Sequence, residues 1–194
     1  MIRVAVALAA LTLALPAMAQ QTRPPAAAPP AAAPATPARP GATPAPPAQK
    51  PLGKWGNWQG YSDMEDRSPL CFLTAPPIAS EPKDARRGTV YLQIYHRPVQ
   101  KQRDVVTSGF GYAFKDGATA VFEVDGQKFT LFTQGESAWA YKDTDDKAIV
   151  EAMKRGNELV VRGTSARGTV TVDRYALGGF TAGLTEINKA CNIR

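Results

Sequence analysis

The chain holds two cysteines, Cys71 and Cys191, so far apart that a bond between them would close nearly the whole of one domain into a single loop. Whether they pair depends on compartment, since disulfides persist where thiols are not kept reduced. The N-terminus bears on that question. Residues 4–15 are apolar after the charged Arg3, Pro16 breaks the run, and Ala17-Met18-Ala19 places small residues at the −3 and −1 positions of a signal-peptidase site. A membrane anchor needs about 18–20 apolar residues, and this run is shorter. Residues 1–19 therefore read as a signal peptide cleaved before Gln20. With no cysteine near the cleavage site for lipid attachment and no later apolar run long enough to span a bilayer, the expected location is the periplasm, with surface exposure or secretion as alternatives. In such a compartment Cys71 and Cys191 are expected to pair. The competing reading, two free thiols or a redox pair, finds no Cys-x-x-Cys spacing.

Residues 20–51 form a Pro/Ala-rich tether. Residues 24–51 alone carry 11 of the 17 prolines and no aromatic residue, so they cannot build a core. Proline fixes φ and removes backbone donors, which favours extended polyproline II, spanning roughly 80 Å at about 3.1 Å per residue. A spacer and a passive leader both fit.

The remaining domain, 52–194, reads as mostly β: sandwich-like antiparallel sheets with two short helices, the second at the C-terminus. Strands are expected over 55–61 and 70–73, and over 89–97, where Val90, Leu92 and Ile94 alternate with Tyr91, Gln93 and Tyr95. A strand over 105–114 contains Gly109 and Gly111, residues that suit a bulge or a close approach. Segments 120–124 and 128–132 flank Asp125-Gly126, the pattern of a tight hairpin. A short strand is expected at 137–141, and 158–163 and 169–177 should form a second hairpin about Ser165-Ala166-Arg167-Gly168. The first helix, 143–155, opens on Asp143, Asp145 and Asp146 as capping and charge signals and turns Ala148, Ile149, Ala152 and Met153 inward. The second, 180–190, turns Leu184 and Ile187 inward and delivers Cys191.

A formal charge of +6 suggests a polyanion partner until its distribution is considered. Four of the 23 basic residues and none of the 17 acidic ones precede Leu52, leaving 19 against 17 in the domain. Nucleic-acid binding wants Lys and Arg concentrated on one face, which this balance does not favour. Arg86, Arg87, Arg97, Lys101 and Arg103 do concentrate positive charge between the second and fourth expected strands. They read as a solvated loop, with a face for acidic polymers or anionic headgroups as the alternative. Trp55, Trp58, Tyr61, Tyr91 and Tyr95 read as core aromatics, with a sugar-stacking platform as the alternative.

No catalytic, cofactor or metal residues are assigned. The one histidine, His96, has no Gly-x-Ser-x-Gly partner motif, and the cysteines are expected in a bridge. Asp143, Asp145 and Asp146 resemble the start of a calcium loop, but Ala148 and Lys154 stand where that loop needs Gly and Glu.

The run Arg162-Gly163-Thr164-Ser165-Ala166-Arg167-Gly168-Thr169, then Asp173-Arg174-Tyr175-Ala176-Leu177-Gly178-Gly179-Phe180 and the closing Ala190-Cys191, resembles the C-terminal signature of the invasion-associated locus B family. Arg97-Pro98, Gly111-Tyr112, Val124-Asp125-Gly126, Ala138-Trp139 and Ala152-Met153-Lys154-Arg155-Gly156 fall in the family's order, so the resemblance spans 55–191 and omits the tether, which many members lack. It implies an exported bacterial β-rich domain of undefined biochemical activity and carries over no catalytic residue. The expected function is a non-enzymatic envelope binding or structural protein, whose partner is an envelope or host-surface protein or glycan; a cell-wall-associated module is a separate possibility. The alternative is a surface adhesin or host-cell invasion factor.

Overall fold

The strand and helix signals come out in a computed structural model that describes residues 49–193. The signal peptide and residues 20–48 of the tether lie outside the described residues. In chain order the elements are β1 (Lys50–Trp55), β2 (Trp58–Glu65), β3 (Ser68–Ala75), β4 (Ala79–Glu81), β5 (Tyr91–Arg97), β6 (Gln102–Gly109), β7 (Thr119–Val124), β8 (Gln127–Gln134), β9 (Ser137–Trp139), α1 (Asp143–Arg155), β10 (Glu158–Thr164), β11 (Val170–Ala176) and α2 (Phe180–Ala190). All strand pairings are antiparallel, in one ladder of order β1-β2-β3-β5-β6-β9-β8-β7-β10-β11-β4.

The ladder curls until its second and tenth strands meet, giving a sandwich-like interior. Trp58 Nε1 on β2 donates to the Ala176 carbonyl on β11 at 3.0 Å. Between the facing halves lie Trp58, Leu73, Ile94, Val106, Phe122, Leu131, Leu159 and Tyr175, all buried. α2 closes this core with Phe180, Leu184 and Ile187, and Phe180 packs on the Trp58 ring at 5.0 Å between centroids. The helix approaches so closely that a Cβ on Gly183 would stand 2.6 Å from a Leu73 methyl. Beyond its last turn, Cys191 bonds Cys71 of β3, with an S–S distance of 2.06 Å and Cα atoms 5.9 Å apart. The compartment argument for pairing is thus matched by a bond that fastens α2 to the sheet.

Both expected hairpins are present. Asp125 and Gly126 take φ of 44° and 95°, the positive values that a two-residue turn between twisted strands requires. Asp125 also accepts the backbone N–H groups of Asn157 (2.9 Å) and Glu158 (3.2 Å), fastening the turn to the start of β10 and holding its carboxyl below the usual carboxylate range.

Several boundaries differ from the sequence reading. The aromatic opening is two strands rather than one, with Trp55 and Trp58 paired across a turn at Gly56-Asn57, and β1 begins at Lys50, inside the stretch read as tether. β2 and β3 meet at Asp66-Arg67, which hold φ of 49° and 65° without a glycine. β4 arises within the Pro-rich loop and pairs with β11. β6 stops at Gly109, after which Phe114 forms an isolated bridge to Ser165. α1 has no side-chain cap. Its Asp146 instead turns inward and accepts the Val106 N–H of β6 at 2.8 Å, while Val150 is buried and Ala148 exposed.

Candidate functional site

Where β6 gives out, the chain from Phe110 to Phe114 runs across the open end of the sheet toward the β10–β11 turn. The loop after β4 lies beside both, since β4 pairs with β11 and Gly88 bonds Gly111. Together they enclose an open cleft of about 600 Å³, lined by Pro82, Asp84, Ala85, Arg86 and Arg87 from the loop, Gly111, Tyr112 and Ala113 from the crossing segment, and Ser165, Ala166, Arg167, Thr169 and Thr171 from the hairpin. Gly111 allows the close approach of the first two walls: it sits at φ 66°, and a Cβ there would meet the Gly88 backbone at 2.6 Å. The same contact carries a hydrogen bond from Gly88 N–H to the Gly111 carbonyl at 2.7 Å.

Buried polar bonds fix these walls. Asp173 on β11 is 1% exposed and takes both arms of the Arg87 guanidinium, at 2.8 and 2.5 Å. Ser80 of β4 donates to the same carboxylate at 2.6 Å. That bond to Asp173 raises the Arg87 pKa, so the guanidinium stays charged and its charge is spent internally. Across the cleft, the Tyr112 hydroxyl and Thr171 Oγ1 lie 2.7 Å apart, and burial pushes the phenol up. Ser165 Oγ accepts the Thr169 N–H at 3.2 Å. Arg86 and Arg167 are exposed at the cleft and have no ion-pair partner among the described residues.

The five basic residues singled out in the sequence therefore separate. Arg86 and Arg87 reach the cleft; Arg97, Lys101 and Arg103 stand about the β5–β6 connection. Arg97 donates to Glu65 at 3.2 Å and lies over the Tyr95 ring at 5.0 Å, and Arg103 pairs with Asp104 at 3.1 Å. Arg167, supplied from a turn eighty residues later, was not among them. A sequence offers no local signal for that meeting.

The aromatic group divides too. Trp58 is fully buried and Trp55 packs against the core, whereas Tyr61 stacks on Phe72 at 5.1 Å and Tyr95 meets Trp139 edge-on at 6.3 Å. His96 is fully buried on β5 in register with Cys71. Its Nδ1 accepts the Asp104 N–H at 3.0 Å, and burial depresses its pKa. Asp143, Asp145 and Asp146 open α1, and among the described residues no group of three or more His, Cys, Asp or Glu side chains is placed to hold a metal.

A family model described as "Invasion associated locus B (IalB) protein" matches residues 62–188. The chain belongs to the IalB family. A similar fold is found in the crystal structure of invasion associated protein b from Bartonella henselae, at 16% identity over 72% of this chain and 97% of that one, with a TM-score of 0.52. Among curated proteins none matches the chain. IalB membership and the Cys71–Cys191 bond together fit an exported β domain. No helix among the described residues is long and apolar enough to cross a membrane. The run 162–169 that carries the family resemblance forms the end of β10 and its turn, one wall of the cleft.

Proposed function

We propose that this IalB-family chain is a non-enzymatic binding protein of the cell envelope, acting from the periplasm, and that the cleft between the β4–β5 loop and the β10–β11 turn is its binding face. The observation that carries the reading is a concave site with two arginines lacking ion partners, held by walls fixed through the Arg87–Asp173 and Tyr112–Thr171 bonds. Recognition is what such an arrangement suits. The cleft serine accepts a backbone N–H, and the one histidine of the chain lies buried beside the disulfide, so the nucleophile and base of an acyl-transfer site do not meet there. An unbiased hydrolase screen of the purified protein should give no turnover; turnover abolished by replacing His96 or Ser165 would overturn the reading.

A second reading, a surface adhesin or invasion factor, is favoured by the family's description. Fractionation of the source cells combined with a membrane-impermeant label on intact cells separates the two. Strictly periplasmic recovery supports the envelope role, and surface labelling supports host contact.

A further inference from the structure

We propose that the cleft binds an acidic saccharide, with Arg86 and Arg167 taking its carboxylate groups. This rests on the binding reading above and specifies the ligand's chemistry.

Charge selects the residues. Arg97, Arg162 and Arg174 each face a carboxylate, from Glu65, Glu123 and Glu158 respectively, and Arg87 is held on both arms by Asp173. Arg67, Arg86 and Arg167 depart from that pattern among the described residues, and of these Arg86 and Arg167 open into one concavity. A guanidinium is a planar fork of donors matched to a carboxylate. Two forks lining one cleft suit a ligand that carries more than one acid group.

The rest of the lining suits sugar rather than peptide or lipid. Asp84 stands in the same cleft. Its carboxylate can accept hydrogen bonds from the hydroxyls that a sugar carries beside its acid groups and that an acidic peptide side chain lacks. Pro82, Ala85 and the half-buried Tyr112 ring supply apolar surface against which the C–H face of a pyranose can lie. The volume of about 600 Å³ falls within the range of small-ligand sites. The site is concave, unlike the flat apolar patch by which a domain rests on lipid. Because the Arg87–Asp173–Ser80 bonds and the Gly88–Gly111 contact fix the walls before ligand arrives, the ordering cost left to binding is mainly that of the Arg86 and Arg167 side chains.

The test is calorimetric titration of the full chain, its disulfide intact, with oligogalacturonate, with neutral oligogalactose of equal length, with an oligoglutamate peptide and with inorganic phosphate. Oligogalacturonate should bind, and the other three should bind at least about tenfold more weakly. R86A and R167A change exposed side chains and should each weaken oligogalacturonate binding about tenfold or more, with the thermal midpoint unchanged. No binding of oligogalacturonate, equal binding by R86A/R167A, or oligoglutamate binding as tight as the saccharide would each overturn the inference. Chromatography of the bound oligomer keeps the two readings apart: a ligand recovered shortened overturns the non-enzymatic reading and leaves the ligand class standing, whereas absence of binding alongside a negative hydrolase screen overturns the ligand class alone.

Discussion

Asp173 and Asp146 are both buried carboxylates in one small domain, and their surroundings differ in kind. Asp173, beside the cleft, has one arm of the Arg87 guanidinium on each oxygen and a serine hydroxyl besides. Asp146, at the start of α1, has one backbone N–H, and burial pushes its pKa up to about 7, helped by the charges of Asp143, Asp145 and Asp104. His96, beside the disulfide, is likewise buried without a full ionic partner and is kept neutral. One region thus answers a buried charge with an opposite charge, and the other shifts its buried groups toward their neutral forms. Fixed pairing suits a site that must present the same walls at any pH. The other region has strength of a different origin, since the bond between Cys71 and Cys191 restrains the chain whatever the local charge.

The largest effect should come from removing that covalent restraint. C71S/C191S closes no loop in the unfolded chain and should lose up to about 5 kcal/mol in urea denaturation; a loss under about 1 kcal/mol would mean that packing of α2 alone holds this region. Next, Arg87→Met leaves Asp173 buried and uncompensated and should cost about 3 kcal/mol, with much of the loss recovered in R87M/D173L, where no charge remains. If the double variant is no more stable than the single one, the ion pair is not the reason for the loss.

Asp146→Asn should act in the opposite direction. The folded pKa of Asp146 lies above its unfolded value of 3.8, so the native state holds the extra proton and wild-type stability falls as pH rises from about 4 to about 7. Asn keeps the bond to Val106 without that cost, so the variant should gain on wild type across this window and stay ahead above pH 7, by an amount on the order of 2 kcal/mol. A difference between the two proteins that does not change with pH would refute the account.

The smallest effect belongs to His96, whose folded pKa lies below its usual 6.5. Below pH 6.5 the unfolded chain takes up a proton that the native state refuses, so stability drops as pH falls through this range. Thermal melts of D146N between pH 5 and 7 should reveal this slope once the opposing one is removed, and H96Q in the same background should abolish it.

What the sequence disclosed follows how local each cause is. The Asp125-Gly126 hairpin, the inward Leu184 and Ile187 of α2 and the alternation of β5 are written within a few residues. The β2–β3 turn was hidden because Asp66 and Arg67 take positive φ without the glycine that usually announces it. β4 was hidden because three residues beside prolines carry no period, and its pairing with β11 joins residues some ninety positions apart. Asp146 reads as a cap in the sequence because nothing local shows that β9 is too short to satisfy Val106 of β6. For the same reason half the charge of the site was legible and half was not: Arg86 stands in a visibly basic loop, while Arg167 is isolated until the sheet curls.

The two outermost members of the ladder are β1, which carries Pro51 and a register shift between Pro51 and Gly53, and β4, three residues long and followed by Pro82. An eleven-stranded sheet left open would otherwise offer two rows of bare amides on which neighbouring copies could stack. Interrupted at one border and cut short at the other, the ladder presents broken, brief edges, which disfavours the edge-to-edge addition of a second copy.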